Sequence, residues 1–259
     1  MQAIEGHLYD YPSYYDLVYG SDWKAEYDFL RACFDRYARS PVWRVLEPAC
    51  GTGRLLYRLG KAGFTVSGVD LNSKAIDYCN ARLKRHGLPE TARVGDMSDF
   101  RLPRKVDAAF NLVSSFRHLP TQNAARAHLQ CVARALARGG IYILGFHLTP
   151  TTRAPMSEER WSARRGQLAV LSHLETVDLD RRKRQEHVDT SFDVYTPRCQ
   201  FRLVDQWIFR TYTAVQFRRL LADVPELEVL DTFDFAYEID HPLPVTGKSE
   251  DVVWVLGKR

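Results

Sequence analysis

The run Val45-Leu46-Glu47-Pro48-Ala49-Cys50-Gly51-Thr52-Gly53-Arg54-Leu55 commits the chain to a strand, a tight glycine turn and a helix. Its apolar opening reads as a short strand that ends in an acid. Two glycines follow, and without a Cβ they let the backbone pass close against a ligand. Free N–H groups at the start of the next helix suit a negative group. A third glycine at position 56 would complete a dinucleotide fingerprint, but that residue is Leu56. Glu47 is poorly placed for a pyrophosphate and well placed for a cationic ligand.

Two further strand ends carry acids. Val66-Ser67-Gly68-Val69-Asp70 ends in a carboxylate that can accept from both hydroxyls of a ribose, so the ligand reads as a nucleoside. Ala92-Arg93-Val94-Gly95-Asp96-Met97 ends in an acid placed to accept from an exocyclic adenine amine. A nicotinamide-dinucleotide site is the competing reading of these residues, and a plain α/β domain with turning glycines is the third.

Strand and helix alternate through this region. Strands are expected near 43–49, 65–70, 92–96, 106–113 and 141–146. Asn72 and Thr121 read as helix caps, and Gly63, Gly87 and Gly139-Gly140 as helix ends. A preceding helix carries Trp23, Tyr27, Leu30, Phe34 and Tyr37 along one face. Such alternation implies a doubly wound, mostly parallel sheet with its ligand at the carboxyl ends of the strands. After a polar stretch at 149–165, three β-rich segments near 167–178, 184–195 and 199–210 read as an inserted antiparallel meander. Too long to be stable as a free hairpin, it should pack on the open edge of the main sheet or on a second subunit. Thr213 caps a last helix, and strands near 227–235 and 251–257 finish the chain. The expected organisation is an N-terminal lid and helix (1–40), a cofactor-binding core (41–148), the inserted meander (149–211) and a C-terminal completion of the core sheet (212–259).

Acid, glycine turn, acid and Gly-Asp at successive strand ends resemble the class I S-adenosylmethionine-dependent methyltransferases over roughly residues 40–148. The resemblance implies a Rossmann-like α/β sheet of seven strands, the last antiparallel. It implies S-adenosyl-L-methionine as cofactor, held by Glu47, Ala49, Gly51, Gly53, Asp70, Leu71, Asp96, Met97, Asn111 and Leu112. The stretch Ser114-Ser115-Phe116-Arg117-His118 looks like the Ser-Ser-x-x-His of the aminosugar N,N-dimethyltransferases, and Tyr15-Asp16-Leu17-Val18 like their opening Tyr-Asp-Leu-Val. Arg117 stands where those enzymes carry a small residue. The glycine N-methyltransferases share the general plan.

Methyl transfer from a sulfonium needs alignment and exclusion of water more than activation. His118 is the expected proton acceptor, since free imidazole titrates near neutrality. The tyrosine-rich segment of Tyr9, Tyr11, Tyr14, Tyr15 and Tyr19 is expected to fold over the cofactor as a lid, with Tyr15 closest and catalytic. The acceptor reads as a small-molecule amine. Oxygen, RNA or protein acceptors are the alternatives, and a non-catalytic cofactor-binding module is the alternative outside catalysis.

A net charge of +4 with one short basic turn, residues 181–184, is far from a nucleic-acid-binding surface. Five scattered cysteines show no metal spacing, no metal site is expected, and free thiols suit a reducing cytoplasm. No apolar run is long enough for a membrane span. The meander is expected to build the acceptor pocket or a homodimer surface.

Overall fold

The alternation between residues 44 and 147 produces the core sheet. The computed structural model describes residues 2–259. The chain opens with a short strand, β1 (Gln2–Glu5), a 3-10 turn at Leu8–Asp10, and helices α1 (Pro12–Tyr19) and α2 (Lys24–Tyr37). The core follows as β2 (Arg44–Pro48), α3 (Leu56–Lys61), β3 (Thr65–Asp70), α4 (Ser73–Arg85), β4 (Ala92–Val94), β5 (Val106–Asn111), α5 (Gln122–Ala135) and β6 (Leu136–His147). Strands β7 (Glu158–Arg165), β8 (Leu168–Asp180), β9 (Gln185–Tyr195) and β10 (Gln200–Arg210) come next. Helix α6 (Ala214–Ala222), β11 (Leu227–Phe233) and β12 (Asp251–Lys258) end the chain.

The seven-stranded sheet has the order β11-β12-β6-β5-β2-β3-β4, with β12 antiparallel to both neighbours. This is the expected doubly wound sheet with an antiparallel last strand. Period-two alternation sends Leu46, Ala109, Tyr142 and Leu144 toward α5 and α6, and Val45, Ala108, Phe110 and Ile143 toward α2, α3 and α4. Asn72, Thr121 and Thr213 accept from backbone N–H groups of α4, α5 and α6 as expected of caps.

The inserted strands form a second sheet, β1-β10-β9-β8-β7, in which β1 pairs parallel to β10. Two features depart from expectation. The stretch before the meander contains β7, a polar edge strand whose pattern carries no apolar alternation. The second sheet does not pack on the open edge of the main one. Its inner face, Val170, Val188, Phe192, Val194 and Leu203, closes on Leu8, Leu17 and Val18 of the N-terminal segment. That segment supplies the cover the meander needs, and the combined layer sits over the carboxyl ends of β5 and β6.

Candidate active site

Four adjacent strands deliver the expected cofactor residues to one rim. Ala49, Gly51 and Gly53 all adopt positive φ in the turn after β2. A Cβ at Gly53 would overlap the Cys79 sulfur, whereas one at Gly51 would meet nothing within 4 Å. Gly53 is therefore fixed by packing, and Gly51 faces open space. Asp70 ends β3 and accepts from the N–H of Gly51 and of Asn72, each at 2.8 Å. Burial raises its carboxyl above the ordinary range, and these two bonds oppose the rise. Leu71 beside it is exposed.

After β4, Asp96 is exposed and accepts from both the backbone and hydroxyl of Ser98. Met97 is buried. Its carbonyl accepts from His128 Nδ1–H at 2.9 Å, and His128 Nε2 accepts from the Tyr142 hydroxyl at 2.7 Å. Burial pushes His128 down to about 4, so this fully buried imidazole stays neutral and pins the Asp96 loop. Sequence reasoning passed over it, because a histidine among the apolar positions of α5 carries no signal of its own.

Asn111 ends β5 and donates from Nδ2 to the Pro48 carbonyl at 2.7 Å, joining the two central loops. Among the described residues, Asn111 Oδ1 and Glu47 Oε2 are buried without a hydrogen-bond partner. Buried polar atoms left this way cost about 1–3 kcal/mol each unless something completes them. Glu47, Gly51 and Asn111 thus present two unanswered oxygens and an open backbone face. Leu112 is buried, and Val113 and Ser114 after it both have positive φ, 59° and 63°. A β-branched residue in that region is strained, and such strain gathers at functional loops.

Acids of the N-terminal segment grip this rim. Asp10 accepts from Asn72 Nδ2 at 2.7 Å and pairs with Lys74 at 3.0 Å. Asp16 is buried against Arg82 and accepts from the Thr52 hydroxyl at 3.0 Å. Glu26 holds Arg54 through both guanidinium ends. Tyr15 packs between Tyr9 and Tyr19 in tilted contacts at centroid distances of 5.2 and 4.6 Å, and burial raises its hydroxyl to about 12.

Between the two sheets lies a cavity of about 460 Å³, walled by the tyrosine segment, the turn after β5, the end of β6 and the meander. It is acidic. Asp22, Glu26, Glu158, Glu159, Glu186 and Glu250 line it, and its two arginines, Arg54 and Arg117, are paired with Glu26 and Glu186. Glu250 and Glu158 are paired with Arg153 and Arg160, which leaves Asp22 and Glu159, among the described residues, as the acids without an arginine. His118 is in its wall, with Nε2 2.8 Å from the Tyr9 hydroxyl and its ring against Trp207 and Phe209. Burial and the neighbouring Arg117 charge push its imidazole down to about 4. The basic turn is partly used by the fold, since Arg181 donates to the Pro150 carbonyl and Arg184 to the Thr211 carbonyl and Gln122. All five cysteines are free, and no cluster of metal-ligating groups occurs among the described residues.

Residues 45–140 match the family described as a methyltransferase domain. That stretch is a methyltransferase domain. A dTDP-3-amino-3,4,6-trideoxy-alpha-D-glucopyranose N,N-dimethyltransferase of Streptomyces venezuelae is 31% identical over 138 residues, which are 52% of this chain and 56% of the relative. The chain thus matches little more than half the length of that relative. The crystal structure of an S-adenosylmethionine-dependent methyltransferase from Clostridium acetobutylicum superimposes with a TM-score of 0.78 at 19% identity, over 97% of this chain and 99% of the other. Streptomyces venezuelae DesVI superimposes with a TM-score of 0.76 at 22% identity, over 98% of both chains. The methyltransferase fold therefore extends beyond the matched domain and includes the meander and the N-terminal segment.

Proposed function

We propose that this protein transfers a methyl group from S-adenosyl-L-methionine to an amine nitrogen of a small molecule. The observation that carries the reading is the contact between two unlike sites. A rim with unanswered Glu47 and Asn111 oxygens and an open Gly51 adjoins an acid-lined cavity whose arginines are already paired.

Glu47 would hold the ammonium of the cofactor, Asp70 its ribose hydroxyls and Asp96 its adenine amine. Ala49, Gly51 and Gly53 shape the turn beneath it, and Leu71, Met97, Asn111 and Leu112 flank it. The cofactor supplies a methyl group already activated on a sulfonium. The chain then has to seat the acceptor, keep water out and dispose of a proton. Tyr15 and His118 stand on the acceptor side, with His118 tied to Tyr9. An acidic cavity favours a cationic amine over an anionic acceptor, and the dimethyltransferase relative acts on an aminosugar by its name.

Two arginines of the basic turn are tied to backbone within the fold, which leaves little free surface for RNA and supports a small acceptor. No described helix is long and apolar enough to cross a membrane. Five free thiols support a cytoplasmic setting. The outer face of the second sheet, with Leu171, Val177 and Ile208 exposed, is the surface for a homodimer, which light scattering would detect.

The test is methyl transfer from labelled S-adenosylmethionine to two acceptors, the dTDP-aminosugar named for the relative and a free aminohexose. Products are read by mass and by the N-methyl proton resonance. N-methyl product is expected. Methyl on oxygen would move the reading to the oxygen class, and tight cofactor binding without any product would leave a non-catalytic module.

A further inference from the structure

His147 closes β6 beside the strained turn, and its backbone N–H donates to the Ser114 hydroxyl at 3.1 Å. Its partner across the antiparallel pair with β12 is Asp251. Nδ1 lies 2.7 Å from Asp251 Oδ1. A carboxylate only accepts, so Nδ1 carries a proton, and in the neutral ring the lone pair is on Nε2. Nε2 faces Glu159 Oε1 of β7 at 3.9 Å, and the Phe235 ring packs on the imidazole at 5.1 Å. His147 and Glu159 both line the acidic cavity.

We propose that His147, oriented by Asp251, takes the proton that the acceptor ammonium must lose before methylation, while Glu159 seats that ammonium. The role rests on the amine reading above. A protonated amine has no lone pair to attack with. One proton passes from the ammonium to His147 Nε2, and the freed nitrogen pair bonds to the methyl carbon. The carbon–sulfur bond breaks with its electrons on sulfur, so sulfonium becomes thioether and the product leaves as a methylammonium. His147 then returns its proton to water through the cavity mouth.

Charge around the imidazole suits this. Asp251 on β12 and Glu159 on β7 are the carboxylates that face the imidazole, and Glu186 on β9 is paired with Arg117 of the turn after β5. Burial raises the Glu159 carboxyl above its ordinary range, and His147 opposes the rise, so an arriving ammonium completes a carboxylate that the fold leaves weakly paired. His118, the other imidazole of the wall, is held by Tyr9 and is a weak base.

The full chain is tested as wild type, His147→Asn, Asp251→Asn and Glu159→Gln. Turnover of whichever of the two acceptors is methylated is read across pH, with S-adenosylhomocysteine affinity measured by calorimetry. His147→Asn is expected to lower kcat by about 10²-fold and to lose the acidic limb of the profile. Homocysteine-form affinity should stay within about twofold. Asp251→Asn should shift that limb to lower pH, because an imidazolium without its carboxylate holds its proton less tightly. Glu159→Gln should raise KM about tenfold with kcat little changed, as loss of a charged hydrogen bond in binding would do. A second readout is independent of turnover: long-range proton–nitrogen correlation of labelled histidine should show His147 as the Nδ1–H tautomer in the free protein. An unaltered kcat and acidic limb in His147→Asn, or an Nε2–H tautomer, overturns the role while leaving the methyltransferase reading intact. A wild type that binds S-adenosylhomocysteine and methylates neither amine overturns both.

Discussion

Replacing Glu47 by Gln acts on stability and on ligand affinity in opposite directions. The side chain is buried at the end of β2 with one oxygen unpartnered among the described residues. Burial pushes its carboxyl well above the usual range; Arg54 opposes the rise, and Cys79, Glu26 and Asp70 add to it. In the unfolded chain it ionises near the ordinary value of about 4.3. Between that value and the raised native one, the native state holds one more proton than the unfolded state. The contribution to stability is thus full below the unfolded value and falls as pH rises, by at most about 1.4 kcal/mol per pH unit. In a domain of this size that is about 3–6 °C of melting temperature per unit. Glu47→Gln has no proton to release, so the free variant should outlast wild type by a margin that grows with pH through this window. Ligand reverses the order. A bound ammonium needs the ionised carboxylate, and losing a charge-assisted bond of about 1.5–3 kcal/mol weakens binding about ten- to hundredfold. Melting curves across the window, with and without S-adenosylhomocysteine, and calorimetry at each pH provide the assay. Parallel melting profiles together with equal affinities would refute the placement of Glu47 against a cation.

The core sheet was legible because its instructions are local. Val45-Leu46 and Ile141 to Phe146 are apolar runs of strand length, and Asn72, Thr121 and Thr213 announce their helices with cap hydroxyls or amides. The rim was legible for the same reason, since a parallel sheet places every strand end at one edge. Strand β7 was missed because Glu-Glu-Arg-Trp-Ser-Ala-Arg-Arg is held by pairing with β8, and pairing leaves no mark in a polar edge strand. The grip of Asp10, Asp16 and Glu26 on Asn72, Arg82 and Arg54 joins side chains far apart in sequence, and nothing in their spacing encodes it. His147 could have been found. It ends a strand of the parallel set, which places it at the ligand-bearing edge as surely as Asn111. Its dependence on Asp251 could not, because that pairing arises only when β12 returns antiparallel beside β6.

Asp70→Ala should weaken S-adenosylmethionine by about one to two orders of magnitude through loss of charged acceptor bonds of about 1.5–3 kcal/mol each, and calorimetry showing unchanged affinity would remove Asp70 from the site. Gly51→Ala and Gly53→Ala should separate binding from folding. Each places a side chain in the left-handed region at about 1–2 kcal/mol. Only Gly53→Ala also collides with the Cys79 sulfur, so it should melt several degrees lower than Gly51→Ala, while Gly51→Ala should lose more cofactor affinity per degree of melting temperature. Equal losses of both quantities in the two variants would deny Gly51 its ligand-facing role. His118→Ala should lower kcat by about 10²-fold through misplacement of the acceptor, with cofactor affinity nearly intact. With its imidazole held near 4, His118 is neutral throughout the working range, so the acidic limb of the rate profile should survive this substitution. The loss then reflects position, and Tyr9→Phe, which removes the hydroxyl 2.8 Å from Nε2, should share it. In the double variant the two losses should combine to less than their sum, as for residues acting through one bond. Strict additivity would show that Tyr9 and His118 act separately, and disappearance of the acidic limb in His118→Ala would return the proton to His118.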